Sequence, residues 1–441
     1  MRIPEQAVGI MKVLTDAGYE AYVVGGCVRD TLLHREPEDW DITTDASPAE
    51  VKRLFRRTVD TGIAHGTVTV MVGEKGYEVT TYRIDGDYED ARHPKEVIYT
   101  KSLEEDLRRR DFTINAMAYN DRAGLVDLFG GLDDLREKKI RCVGDPVERF
   151  GEDALRILRA LRFSAQLDAE IEEKTFQALR EAAPTLKKIS AERIFSELTK
   201  LIRSPHPEKL LLAYEAGVTA VILPEFDRCM KTPQHTPWHL AGVGEHTVKS
   251  MQAIRPDRIL RLTMLMHDFG KPFTRTTDAK GVDHFYGHAE VSAELAESVL
   301  MRMKCDHKTI RRVCNLIYFH DAGVREKLDQ RAVRKLAAKV GREDFPLLLE
   351  VKAADNAAKS PYMREENREQ IRKCADLFEE ILREQDALTL HELRVSGKDL
   401  IAAGMRPGPE IGKTLEAMLA DVIECPAHNT KEYLLEEGRF I

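Results

Sequence analysis

The sequence predicts a mixed α/β head followed by a long all-helical body. Three observations carry that reading. Residues 1–142 alternate strand-like and helical stretches, and segments 66–72 and 77–83, rich in Val and Thr, read as paired strands joined by a turn at 73–76. From about Pro146 onward the apolar period changes from 2 to 3.6, and almost everything reads as helix. Proline-rich breaks at 204–207, 232–237 and 359–361 then partition the body.

The elements follow in order. Ala7, Ile10, Met11 and Leu14 mark an opening helix. A strand at 21–24 stops at the pair Gly25 and Gly26. No repeat or low-complexity tract interrupts the 441 residues, a length that allows about two to four domains. Apolar residues at 43% and charged residues at 32% exclude a disordered chain. No apolar run reaches the roughly 18 residues of a membrane helix. The opening MRIPEQAVGIMKVL has no signal-peptide core, so secretion is not expected. The seven cysteines include Cys27, Cys142 and Cys229 and form no CxxC, which excludes a disulfide framework and a zinc ribbon and suits a reducing cytoplasm. A net charge of −8 excludes a protein that merely coats phosphates, so any nucleic acid must be held by local patches.

The first chemical constellation starts at the glycine pair. Two glycines between a strand and a helix let the backbone approach a phosphate, and Arg29 sits on the first turn of that helix. By itself such a pair is also an ordinary strand-to-helix turn. Ten residues on come Asp39, Trp40 and Asp41. In a strand, period 2 puts both carboxylates on one face, about 6.6 Å apart. Two carboxylates at that spacing can hold Mg2+, an ion that prefers oxygen ligands and substrate phosphates and serves phosphoryl transfer. A third carboxylate is expected at Glu78, with Asp111 as its rival.

This order of motifs resembles the polymerase-β type nucleotidyltransferases. Residues 108–116 (RRRDFTINA) and 151–163 (GEDALRILRALRF) narrow it. They are similar to motifs of the eubacterial, class II CCA-adding enzymes and the related bacterial poly(A) polymerases. The resemblance implies metal binding by Asp39 and Asp41, and nucleotide contacts from Gly26, Arg29 and Arg110, with Asn115 serving the ribose. It implies that Asp153 and Arg156 act as a protein template. An Asp accepts from an exocyclic amino group and an Arg donates to a ring nitrogen or carbonyl, so the pair would select C and A over U and G. Arg159 and Arg162 match further arginines near the incoming nucleotide. On a helix, polar residues three apart spiral rather than line a flat face, while Leu155, Leu158 and Leu161 make a packing stripe. Residues 87–97, with Asp90 and Arg92, resemble the flexible loop used in switching from C to A addition. His93 stands there where the usual pattern has Arg.

A different chemistry follows in the body. His246, His267 with Asp268, His288, His320 and Asp355 form an H…HD…H…H…D series, with Gly270 and Lys271 after the His-Asp pair. This resembles the HD phosphohydrolases, helical proteins that bind one or two divalent metals. Imidazole plus carboxylate suits a transition metal. Further on, residues 395–400, 404–413 and 429–433 read as helices joined by rigid Gly and Pro turns, which the resemblance assigns to a tRNA-holding tail.

The expected layout is therefore a nucleotidyltransferase head at 1–142, a helical neck and body at 143–230, an HD domain at 231–360 and a tail at 361–441. The expected activity is template-independent addition of CCA to tRNA from CTP and ATP, in the cytoplasm and with no membrane partner. The alternatives are a poly(A) polymerase or A-adding enzyme, and a regulatory nucleotidyltransferase with an HD hydrolase acting on a protein.

Overall fold

A computed structural model describes residues 1–85, 97–322, 328–436 and 439–440. Of the expected flexible loop, residues 87–96, including Asp90 and Arg92, lie outside the described residues. The chain divides into two compact units, 1–223 and 224–441.

The first unit opens with α1 (Glu5–Asp16), which buries Ala7, Ile10, Met11 and Leu14, the apolar positions that predicted it. Then come β1 (Ala21–Val24), α2 (Gly26–Leu32), β2 (Ile42–Thr44) and α3 (Pro48–Leu54). A capping box between Ser47 and Glu50 starts α3, satisfying two of the free amides at its N-terminus. The strands β3 (Thr58–Gly62), β4 (Thr67–Val72) and β5 (Lys75–Thr81) follow. The β4–β5 hairpin turns at Gly73 and Glu74, so β5 begins two residues earlier than its composition suggested. Arg83 belongs to the separate pair β6 (Arg83–Asp85) and β7 (Val97–Tyr99). Next are α4 (Leu103–Arg108), β8 (Met117–Asn120), β9 (Gly124–Asp127), α5 (Gly131–Arg136) and β10 (Lys139–Ile140).

Seven strands form one sheet in the order β3-β4-β5-β2-β1-β8-β9. It is mixed: β2 and β5 run parallel, with Ile42 opposite Val79, and the other pairs are antiparallel. Val68, Val70, Tyr77 and Val79 alternate into the core, leaving Glu78 on the exposed face.

The switch to helix falls where the period changed. α6 (Pro146–Glu152), α7 (Leu155–Leu167), the short strand β11 (Glu170–Ile171), α8 (Glu173–Ala182), α9 (Ala191–Ile202), α10 (Leu210–Glu215) and α11 (Val218–Ile222) complete the unit. Leu155, Leu158 and Leu161 are buried as the stripe predicted, and Ile157, Ala160 and Phe163 join them, with Arg156 and Arg162 buried among them, so α7 is buried on most of its surface.

The second unit contains α12 (Pro224–Met230), α13 (Val243–Gln252), α14 (Arg258–Met266), α15 (Lys271–Thr274), a two-residue ribbon of β12 (Thr276–Thr277) and β13 (Asp283–His284), α16 (His288–Arg302), α17 (His307–Phe319), α18 (Gln330–Val340), α19 (Phe345–Ala358) and α20 (Arg364–Glu384). The helices α21 (Gly397–Ala402), α22 (Pro409–Glu424) and α23 (Lys431–Leu434) close it around Leu400, Met418, Val422 and Leu434. All three proline-rich segments fall between helices. Among the described residues, no helix is long and apolar enough to cross a membrane.

Candidate active site and metal centre

In the first unit the chemistry gathers where β1 meets β2. Gly25 caps α2 with φ 79°, a left-handed value that disfavours a side chain. A Cβ there would stand 2.9 Å from Arg110 Nη1, so the glycine also makes room for that guanidinium. Asp41 sits one residue before β2 and already joins the ladder, its carbonyl accepting the Val24 N–H at 3.0 Å. Strand β2 thus begins after the two aspartates rather than containing them. Alternation still holds at this lip, with Asp39 exposed, Trp40 buried and Asp41 half-buried.

Parallel pairing of Ile42 with Val79 sets Glu78 beside Asp41 in register. Burial pushes the Asp41 carboxyl above its usual range, Arg110 opposes this, and the like charges of Glu78 and Asp39 add to it. Such a cluster of like charges suits a divalent cation, and the all-oxygen donor set fits Mg2+.

Asp111, the rival third carboxylate, is committed elsewhere. Its Oδ2 accepts from Arg159 Nε at 2.6 Å and its Oδ1 from Asn115 Nδ2 at 3.1 Å. Burial alone would raise its pKa, but Arg159, Asn115 and Arg156 outweigh burial and hold it at about 2. Asn115 is engaged on both sides, its Oδ1 accepting from Arg29 Nη1 at 2.7 Å. Arg29 in turn grips Asp30 at 2.8 and 2.9 Å and lies over the Phe163 ring. A continuous chain Asp30–Arg29–Asn115–Asp111–Arg159 therefore ties the glycine turn to α7.

Asp106, which the motifs did not flag, anchors the arginine run. It is fully buried, pairs with Arg109 at 2.8 Å and Arg110 at 3.5 Å, and accepts from Thr43 Oγ1 at 3.0 Å. Arg110 Nε is buried and makes no hydrogen bond.

The EDxxR residues are split by a helix break. Asp153 ends α6, whereas Arg156, Arg159 and Arg162 lie on α7, so the four do not spiral along one helix. Asp153 interrupts the helix because its Oδ1 takes the Leu155 N–H at 3.0 Å, a local bond that competes with helical geometry. Its Oδ2 meets Arg193 of α9 at 2.7 Å. Arg156 donates to Glu152 and to the Arg149 and Arg109 carbonyls. Arg162 pairs with Glu197 at 2.9 Å and covers Phe163. The partners Arg193 and Glu197 had no signal in the sequence beyond their spacing of four.

In the second unit all six HD residues converge. His246, His267 and Asp355 form one triad of facing donor atoms, and Asp268, His288 and His320 a second, each within 4.8 Å. Among the described residues these are the groups of three or more His, Cys, Asp or Glu whose donor atoms come that close together. Three of the imidazoles are oriented alike. The Nδ1 atoms of His267, His288 and His320 contact the carbonyls of Met264, Phe285 and Ile317 at 2.8, 2.8 and 2.6 Å. A carbonyl only accepts, so each Nδ1 carries the proton and each Nε2 keeps its lone pair for a metal.

His288 Nε2 and His320 Nε2 then face each other at 3.2 Å, two acceptors needing a shared cation. Both oxygens of Asp268, His267 Nε2 and His246 Nδ1 are buried without a hydrogen bond. The residues fit a divalent transition metal. Gly270 lets α15 meet α16 closely, since a Cβ there would lie 2.3 Å from the His288 carbonyl. Lys271 stands 2.7 Å from Asp268, and Lys359 stands 2.6 Å from Asp355.

Three family models match the chain. Residues 21–141 match the poly A polymerase head domain, 168–230 the probable RNA and SrmB-binding site of polymerase A, and 275–437 a putative domain 2 of tRNA nucleotidyltransferases. A CCA-adding enzyme of Streptococcus mutans is 35% identical over 98% of this chain and 96% of that protein. The chain belongs to the CCA-adding enzyme family. The CCA-adding enzyme of Enterococcus faecalis is likewise 35% identical, over 98% of this chain and 94% of its own length. The crystal structure of the Bacillus stearothermophilus CCA-adding enzyme in complex with CTP superposes with a TM-score of 0.75 at 31% identity, covering 100% of this chain and 98% of that one. At 22% identity, the Thermotoga maritima CCA-adding enzyme complexed with tRNA shares the fold, with a TM-score of 0.59 over 98% of this chain and 94% of that one. As a member of the CCA-adding enzyme family the chain is a nucleotidyltransferase, with the polymerase-β type head and helical body that its motifs predicted.

Proposed function

We propose that this chain adds C, C and A to the 3′ end of tRNA from CTP and ATP in the cytoplasm, releasing pyrophosphate. The observation that carries the reading is the meeting of the Gly25 turn, Arg110 and three coupled carboxylates beside the central strands β1, β2 and β5. Asp39, Asp41 and Glu78 would hold Mg2+, which when bound supplies charge neutralisation for the triphosphate and activation of the attacking hydroxyl. Gly26, Arg29 and Arg110 line the phosphate side, with Asn115 fixing Arg29. Asp153 accepts from the exocyclic amino group of C or A and Arg156 donates to the same edge, while Arg159 and Arg162 hold the strand of contacts behind them. In this layout residues 1–142 carry the chemistry, 143–230 read the base and RNA, and 361–441 hold the tRNA elbow by shape and backbone.

The test is incubation with tRNA lacking CCA, tRNA ending in CC, and each nucleoside triphosphate, followed by sequencing of the 3′ ends. Addition of A alone, or of long A tracts, would support the A-adding or poly(A) alternative instead.

A second activity is favoured by the three histidines that turn their Nε2 atoms inward. His246, His267 and Asp355, with Asp268, His288 and His320, would hold divalent transition metal ions, which when bound supply an activated water and a Lewis acid. Lys271 and Lys359 place two cations beside the cluster, against Asp268 and Asp355, charge suited to a phosphoester. The reading is a phosphohydrolase in segment 231–360, acting on phosphomonoesters or 2′,3′-cyclic phosphates. Metal analysis and hydrolysis assays with Mn2+, Ni2+ or Co2+ test it.

A further inference from the structure

Base selection needs a carboxylate held at a fixed angle, and Asp153 sits at a helix break where nothing in its own helix fixes it. Its Oδ1 is bound to the Leu155 N–H at 3.0 Å, and its Oδ2 lies 2.7 Å from Arg193 Nη2 on α9. An ionised carboxylate has about four acceptor sites, so both oxygens retain room for a further donor. Arg193 is therefore a partner that orients the acceptor without consuming it. One turn along α9, Glu197 Oε2 lies 2.9 Å from Arg162 Nε. Helix α9 thus presents a cation and then an anion, and the selecting segment answers with an anion and then a cation. A slide bringing either partner to the other's station would set like charges together, so the two pairs specify one register of α9 against α7.

We infer that Arg193 is a positioning residue for nucleotide selection, locking the Asp153 carboxylate through a direct ion pair while Glu197 locks α7 through Arg162. Without Arg193, the carboxylate keeps only its bond to Leu155 and turns about its side-chain torsions. The inference rests on the reading of Asp153 as a base-selecting residue, and the two can fail separately.

The experiment compares Arg193→Ala, Arg193→Lys and Asp153→Ala with the parent chain, using tRNA lacking CCA. It measures kcat/KM for CTP, ATP, UTP and GTP, together with the thermal midpoint of each variant. Arg193→Ala should lower the preference for CTP over UTP by about ten-fold or more. Arg193→Lys keeps the charge but loses the planar fork, and should recover part of that preference at an unchanged thermal midpoint. Unchanged preference in both Arg193 variants, with preference lost in Asp153→Ala, would overturn the role of Arg193 and leave the reading of Asp153 intact. Equal slowing of all four nucleotides with a lowered midpoint would reduce Arg193 to a structural brace and overturn the inference. Retained selectivity in Asp153→Ala would overturn both.

Discussion

Arg159 Nε lies 2.6 Å from Asp111 Oδ2, joining α7 to the turn that carries the arginine motif through a buried carboxylate. The sign of its pH effect follows from the depressed pKa. A carboxyl near 2 in the folded chain and 3.8 when unpaired contributes stability that is present above pH 3.8 and is lost as pH falls through 2. Asp111→Asn should therefore cost about 2 kcal/mol at neutral pH. Denaturant titrations of parent and variant should converge as the pH drops from 4 toward 2. A constant gap across that window would show that the loss comes from packing rather than charge.

Gly25 offers a sharper local test. A side chain there must adopt φ 79° and displace Arg110 Nη1 from 2.9 Å. Gly25→Ala should cost about 1–3 kcal/mol in stability from the backbone alone. It should also raise KM for both CTP and ATP, because it moves the arginine proposed to face the nucleotide. A rise in KM for one nucleotide only would place Arg110 in base selection instead.

The three carboxylates beside β2 and β5 make a third expectation. Asp41→Ala should abolish nucleotide addition while tRNA binding, measured by gel shift, stays close to that of the parent, since the carboxylates proposed to hold metal would supply little of the RNA contact. Asp39→Ala should behave alike. Addition at a comparable rate by Asp41→Ala would remove the metal assignment.

Legibility followed the reach of each interaction. The strand at β1 and the change of period at Pro146 were readable because alternation and 3.6 periodicity are local properties. The α6–α7 break was not, because the helical pattern continues through it and only the Asp153 side chain, capping Leu155, interrupts the backbone. The true partners of the arginines were also hidden. Arg159 meets Asp111 from 48 positions away, and Arg193 meets Asp153 from 40. Asp106 carried no motif signal, yet it is the buried anchor of Arg109 and Arg110. The parallel register of β2 and β5, which sets Glu78 beside Asp41, is encoded by no spacing.

The last expectation concerns the second unit. Asp268 lies 3.8 Å from His246, 3.2 Å from His267, 3.5 Å from His288 and 3.9 Å from His320, so it faces both triads. Removing it would take away the carboxylate that lies beside both His288 Nε2 and His320 Nε2, which are opposed at 3.2 Å. Asp268→Ala should thus lose bound transition metal and any phosphomonoesterase or cyclic phosphodiesterase activity. Nucleotide addition should persist, because the two chemistries share no ligand and their residues belong to separate compact units. Elemental analysis of the purified parent chain and variant decides the matter first. A parent chain that takes up no Mn2+, Ni2+ or Co2+ on dialysis, and hydrolyses neither 2′,3′-cyclic AMP nor a phosphomonoester, would make the six converging side chains a helical spacer rather than a catalytic centre.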